Sequence, residues 1–205
     1  GVDPDNGNPL WYMDEKDAND KLTGKRVTTS DYASANYYYV NKSSLPKVYG
    51  GFNTSLSWKG FDLSAIFAYS IGGYIYNRDI TMILHNGSLE GRDWSTEILK
   101  RWTPENRYTD VPALSTTSNN WNSASTRFLQ NNSYMRLKNL TLSYDLPKQW
   151  ISKLALSSVQ VFVQGDNLFT IHRNQGLDPE QGITGITYYR YPAMRTISGG
   201  INLSF

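Results

Sequence analysis

The stretch from Tyr49 to Ile71 leaves the chain little choice of fold. Phe52, Thr54, Leu56 and Trp58 occupy alternate positions, with Asn53, Ser55 and Ser57 between them. A period of two means a strand with one apolar and one polar face, because a helix repeats every 3.6 residues. Lys59-Gly60 interrupts the pattern, which then resumes with Phe61, Leu63, Ala65, Phe67, Tyr69 and Ile71. The residues facing away are Asp62, Ser64, Ile66, Ala68 and Ser70. Two alternating runs joined by so short a link form an antiparallel hairpin.

The same rhythm recurs toward the end. Leu140, Leu142 and Tyr144 alternate with Thr141, Ser143 and Asp145, with Arg136 and Lys138 falling on the Leu140 face of an unbroken strand. Val159, Val161 and Val163 oppose Gln160 and Gln164, with Phe162 as the exception. Ile197, Gly199, Ile201, Leu203 and Phe205 alternate with small or polar residues to the end of the chain. Strands are therefore predicted over about 49–58, 61–71, 133–145, 158–169 and 191–205. Residues 1–48, 72–132 and 172–190 are predicted as long loops. Within the second, "DWSTEILKRWTPEN" resembles a short helix stopped by Thr103-Pro104.

Connection length separates two ways of arranging such strands. Lys59-Gly60 and the 146–157 segment are short, whereas 72–132 and 172–190 are long. Short links at one end and long ones at the other mark an up-and-down antiparallel sheet. In outer-membrane barrels the short turns face the periplasm and the long loops the exterior. No apolar run approaches the 18 or so residues of a membrane helix, which leaves a barrel open. Composition agrees: 39% of the 205 residues are hydrophobic but 14% are aromatic, with 15 Tyr and 6 Trp, as suits interfaces better than an aliphatic core. Trp58 and Phe61 beside the short turn and Tyr69 toward the long loop sit where interfacial girdles lie. A soluble carbohydrate-binding β-sandwich alternates in the same way and stays open on the residues alone.

Other classes are excluded or weak. A net charge of +2 argues for no nucleic-acid partner. The absence of cysteine removes disulfides and thiolate metal sites, and two histidines exclude a His-rich one; no metal or cofactor is expected. "DPDNG" at 3–7 echoes a calcium loop, but its spacing is that of a turn. No nucleophile–base or carboxylate pair stands out, so no enzyme is expected. Trp94, Trp102, Trp121, Tyr188 and Tyr189 are ligand-contact candidates, because aromatic rings stack on sugars; the alternative is that they staple loops together. The opening "GVDPDNGNPLWY" reads as the middle of a longer protein.

Five segments taken in order, "LPKVYGGFNTSLSWKGFDLSAIFAYSIGGYIYN", "NNSYMRLKNLTLSYDLP", "VQVFVQGDNLFTI", "GLDPE" and "YPAMRTISGGINLSF", resemble the C-terminal end of the SusC/RagA family. These are TonB-dependent (TonB-linked) outer-membrane transporters of Gram-negative bacteria. The resemblance implies an all-β fold: 1–205 as the last five strands of a large plugged transmembrane barrel of about 22 strands, with long extracellular loops. It implies active uptake of oligosaccharide or peptide, with a passive porin or adhesin barrel as the alternative. The implied partners are the rest of the barrel with its N-terminal plug, TonB acting through that absent part, a SusD-like lipoprotein lid and outer-membrane lipid. Phe52, Leu56, Trp58, Phe61, Leu63, Phe67, Leu140, Leu142, Ile201 and Leu203 would face lipid. Phe205 would be the barrel-assembly signal, at the periplasmic end of a strand that pairs with the first to close the barrel.

Overall fold

A computed structural model describes residues 1–205 except 88–89, 118–119, 152–155, 175, 177, 181, 183 and 188. The chain divides into two compact units, residues 1–41 with 77–129 and residues 42–76 with 130–205.

The first unit is built from segments read as loop. Trp11–Lys16 (β1) and Leu22–Thr29 (β2) form an antiparallel hairpin, so residues 1–48 are not irregular throughout. The hairpin escapes a hydrophobic-pattern reading because apolar residues meet across it only briefly, Met13 opposite Val27; beside them Asp14 lies opposite Arg26, and the Tyr38 hydroxyl donates to Asp14 while its ring carries the Arg26 guanidinium. Arg78–Ile83 (α1) begins where Asn77 accepts from the Ile80 N–H, an N-cap. The expected helix after Trp94 is a single 3₁₀ stretch, Thr96–Lys100, capped by Ser95. Leu84, Ile98, Val111 and Trp121 are buried together, with Val2 and Ile80 packed around them.

The second unit is an up-and-down sheet of Val48–Trp58 (β3), Phe61–Ile71 (β4), Tyr134–Asp145 (β7), Ser158–His172 (β8) and Thr196–Ser204 (β9). They are hydrogen-bonded in that order, all neighbours antiparallel. Tyr74–Tyr76 (β5) pairs with Leu129–Asn131 (β6), whose last two residues belong to this unit. Lys148–Ile151 (α2) lies in the β7–β8 connection. At the β3–β4 turn both Lys59 and Gly60 have positive φ, +48° and +89°. That is the twist-compatible hairpin turn for which glycine is favoured.

Register assigns the faces. Phe52 lies across from Phe67, Leu56 from Leu63 and Trp58 from Phe61. Leu63 and Ala65 lie across from Leu142 and Leu140, and Val159 and Val161 from Leu203 and Ile201. These residues share one face, on which Phe52 stacks on Phe67 with ring centroids 4.7 Å apart. The other face carries Ser55, Ser64, Thr141, Gln164 and Ser198 in register. Phe162 is the exception there for a steric reason. Its ring covers Gly200, where a Cβ would come within 2.9 Å of ring atoms.

One expectation about the faces is overturned. Lys138 is an extra residue: Ile66 and Phe67 of β4 pair with Asn139 and Leu137, skipping it. A bulge shifts the alternation by one. Leu137 and Met135 therefore take the Leu140 face, and Arg136, paired with Ala68 and Thr170, moves to the polar one. The final ladder also begins at Thr196 rather than 191; Pro192, lacking an N–H, cannot donate to one.

Candidate functional site

The aromatic candidates sit in different settings. Trp121 is only 4% exposed. Its indole N–H donates to the Leu84 carbonyl at 2.8 Å, and Arg127 lies over its ring at 3.6 Å. Burial lowers the Arg127 pKa to about 10. Trp121 thus staples the first unit from within. Trp102 is half-buried, donating to the Pro4 carbonyl at 3.1 Å. Its ring covers Gly7, leaving no room there for a Cβ. The "DPDNG" turn beneath is self-satisfied: Asp3 accepts from Asp5 N–H and the Asn6 side chain, and Asp5 pairs with Arg107 at 2.6 Å. Trp94 is 45% exposed and donates to Nδ1 of buried His85 at 3.0 Å. Burial lowers the His85 pKa. Tyr189 is 62% exposed, in the second unit. Tyr188 lies outside the described residues.

A constellation not anticipated from single residues lies at the bulged end of the sheet. Arg136, turned to the polar face, donates Nε to Thr170 Oγ1 at 2.8 Å, one terminal nitrogen to Glu180 at 2.8 Å and the other to Asp178 at 2.6 Å. Lys138 reaches the same Glu180 at 2.6 Å. The Arg136 and Asp178 side chains are 4% and 7% exposed, so this is a buried pair, costly to break from one side. Burial alone would raise the Asp178 pKa, but the Glu180 and Ala193 backbone N–H groups and the Arg136 guanidinium outweigh it and hold it below the usual value. The "GLDPE" segment is thereby clasped to β7. The Asn132 side chain adds a bond to the Pro179 carbonyl at 2.8 Å and receives one from Asn174 at 2.7 Å.

Beside the clasp, β8 and the 190–195 segment enclose an open recess of about 470 Å³. Arg136, Thr170 and His172 line it from the sheet, and Arg190, Ala193 and Arg195 from the opposite side. The only sequence signals for this region are the acidic pair of "GLDPE" and the cationic pair Arg136 and Lys138. Nothing in one sequence joins them.

The apolar face is the largest feature of the second unit. Leu56, Trp58, Phe61, Val161, Val163, Ile201 and Leu203 are exposed on it, far beyond the scattered apolar residues normal on a soluble surface. β3 and β9 each have one edge without a strand in this sheet. No helix among the described residues is long and apolar enough to cross a membrane.

No family model matches the chain. Among curated proteins it is 33% identical over 166 residues to TonB-dependent receptor P3 of Formosa agariphila, a match covering 76% of this chain. It is 27% identical over 168 residues to TonB-dependent receptor SusC of Bacteroides thetaiotaomicron, covering 82%. It superposes on the structure of the RagAB peptide transporter with a TM-score of 0.83 at 35% identity, over 100% of this chain. The chain belongs to the SusC/RagA family of TonB-dependent receptors. The alignments span 16% of those two curated relatives and 22% of the RagAB chain, so the chain spans less than a quarter of the length of the relatives it matches. The RagAB peptide importer in its closed-closed state matches with a TM-score of 0.81 at 34% identity.

Proposed function

We propose that this chain is the C-terminal barrel portion of a TonB-energised outer-membrane importer of oligosaccharide or peptide. The observation that carries the reading is the sheet: one face polar, the other apolar and uncovered, with two unpaired edges. Unpaired strand edges are not tolerated in lipid, where every backbone group must find a partner within the protein. The sheet therefore completes a closed barrel of about 22 strands with the rest of the transporter, its polar face toward the lumen and the plug. The face with Phe52, Leu56, Trp58, Phe61, Leu63, Phe67, Leu140, Leu142, Ile201 and Leu203 meets outer-membrane lipid. The exterior segments, including exposed Trp94 and Tyr189, bear on the ligand and on a SusD-like lipoprotein lid. TonB acts through the plug.

The test is a gel of the detergent-extracted native outer membrane, boiled against unboiled, with mass spectrometry on the bands. Peptides of this chain are expected in a large band whose mobility changes on heating, together with plug peptides from the same polypeptide or complex. A heat-indifferent species in the soluble fraction would refute the barrel. A heat-modifiable barrel without plug peptides would replace the importer with a passive pore.

A further inference from the structure

The recess beside β8 is open and carries two exposed arginines, Arg190 and Arg195. The β8–β9 ladder ends at the Asp166–Thr196 pair, yet β8 continues to His172. Strand and returning segment therefore part above that pair. The returning segment is fixed in place beside it: the Asn167 side chain donates to the Met194 carbonyl at 3.2 Å, and Asp178 accepts from the Ala193 N–H at 2.6 Å.

The nearby acids are already committed. Asp178 and Glu180 neutralise Arg136 and Lys138, while Asp166 accepts from Asn139 and Gln164. Arg190 and Arg195 line the recess, and neither has an ion-pair partner among the described residues. Two guanidinium groups on one small cavity match a planar oxyanion, which a fork of N–H donors can grip bidentately. A volume of about 470 Å³ falls in the range of small-molecule sites.

From this geometry we propose that the recess binds a carboxylate group of the imported ligand through Arg190 and Arg195. The proposal rests on the importer reading and narrows its substrate to acidic nutrients. The carboxylate can come from an acidic sugar or from a peptide, and the test separates the two.

The experiment uses the full transporter with its lid protein, purified in detergent and checked for heat-modifiable mobility. That check reports on the importer reading independently of ligand binding. Calorimetric titrations use trigalacturonate, N-acetylated triglutamate, and their neutral counterparts, the methyl ester and N-acetylated, C-amidated triglutamine, at low and high salt. One acidic probe is expected to bind, more weakly at high salt, and its neutral counterpart at least about 10-fold more weakly. Arg190→Gln and Arg195→Gln should each lower affinity about 10-fold, and the pair together further. Lys59→Gln, in the β3–β4 turn, should change nothing. Arg190→Lys with Arg195→Lys keeps the charge and loses the fork, giving an intermediate loss. Should the glutamine variants fail to fold, this variant and the neutral probes still decide the matter. Equal binding of acidic and neutral probes, undiminished binding by the double variant, or binding of neither acidic probe overturns the proposal. Equal competition by inorganic phosphate also overturns it, since the recess would then be a general anion patch.

Discussion

The two units of this chain treat their apolar residues in opposite ways. Residues 1–41 with 77–129 turn Leu84, Ile98, Val111 and Trp121 inward, and the indole N–H finds a carbonyl partner there. The sheet turns Leu56, Trp58, Phe61, Ile201 and Leu203 outward and keeps serine, threonine and glutamine on its other face. The first arrangement minimises apolar surface in water. The second does so only when something apolar lies against it. The lesson is that exposed hydrophobics are informative only when they share a face.

The contrast can be broken at several points. The largest effect is expected from Trp121→Ala, which removes the centre of the first unit's core at a cost of about 3–5 kcal/mol. Hydrogen exchange on the folded transporter should show peptides from 80–98 losing protection while those of β8 keep it. Equal loosening of both would mean that the units are not energetically separate. Next comes Phe67→Arg set against Ser64→Arg, on opposite faces of β4. An arginine on a lipid-facing midplane site costs about 2–4 kcal/mol. Phe67→Arg should therefore depress the yield of heat-modifiable barrel far below that of Ser64→Arg, and matched yields would reverse the assigned faces. Ala68 makes a poorer comparison, because it sits across from Arg136.

The smallest effect is on pH. His85 has a lowered pKa in the folded protein, so the unfolded chain takes up its proton first, near pH 6.5. Its stabilising contribution is full above that value and fades as pH falls toward the folded pKa. Asp178 also has a lowered pKa, but as an acid its contribution is full above about pH 4 and fades only below it. Between these limits, exchange around 84–98 should quicken while the 176–193 clasp holds. A clasp that opens first would show that Arg136 and Asp178 are not the fastening.

How much of this was legible depends on whether the signal is local. The sheet and its faces could be read because period two repeats within each strand, as in Leu56, Trp58, Phe61 and Leu63. The β1–β2 hairpin could not, since its apolar pair, Met13 and Val27, is followed at once by the polar pair Asp14 and Arg26. Trp121 was noticed for its ring, but its burial depends on residues as distant as Val2 and Leu84. The partners in the clasp, Arg136 and Asp178, are 42 residues apart. Read as an unbroken strand, Arg136 belonged on the wrong face.

The amino-acid sequence by itself determined the alternating strands of the five-stranded sheet, their apolar side and the tight turn at Lys59-Gly60, because alternation and turn chemistry act between near neighbours. Only the tertiary structure decided where the alternation slips at Lys138, and with it that Arg136 meets Asp178 and Glu180. A bulge is chosen by the register of two strands together, and the charge it redirects is stable only if a distant loop arrives to neutralise it.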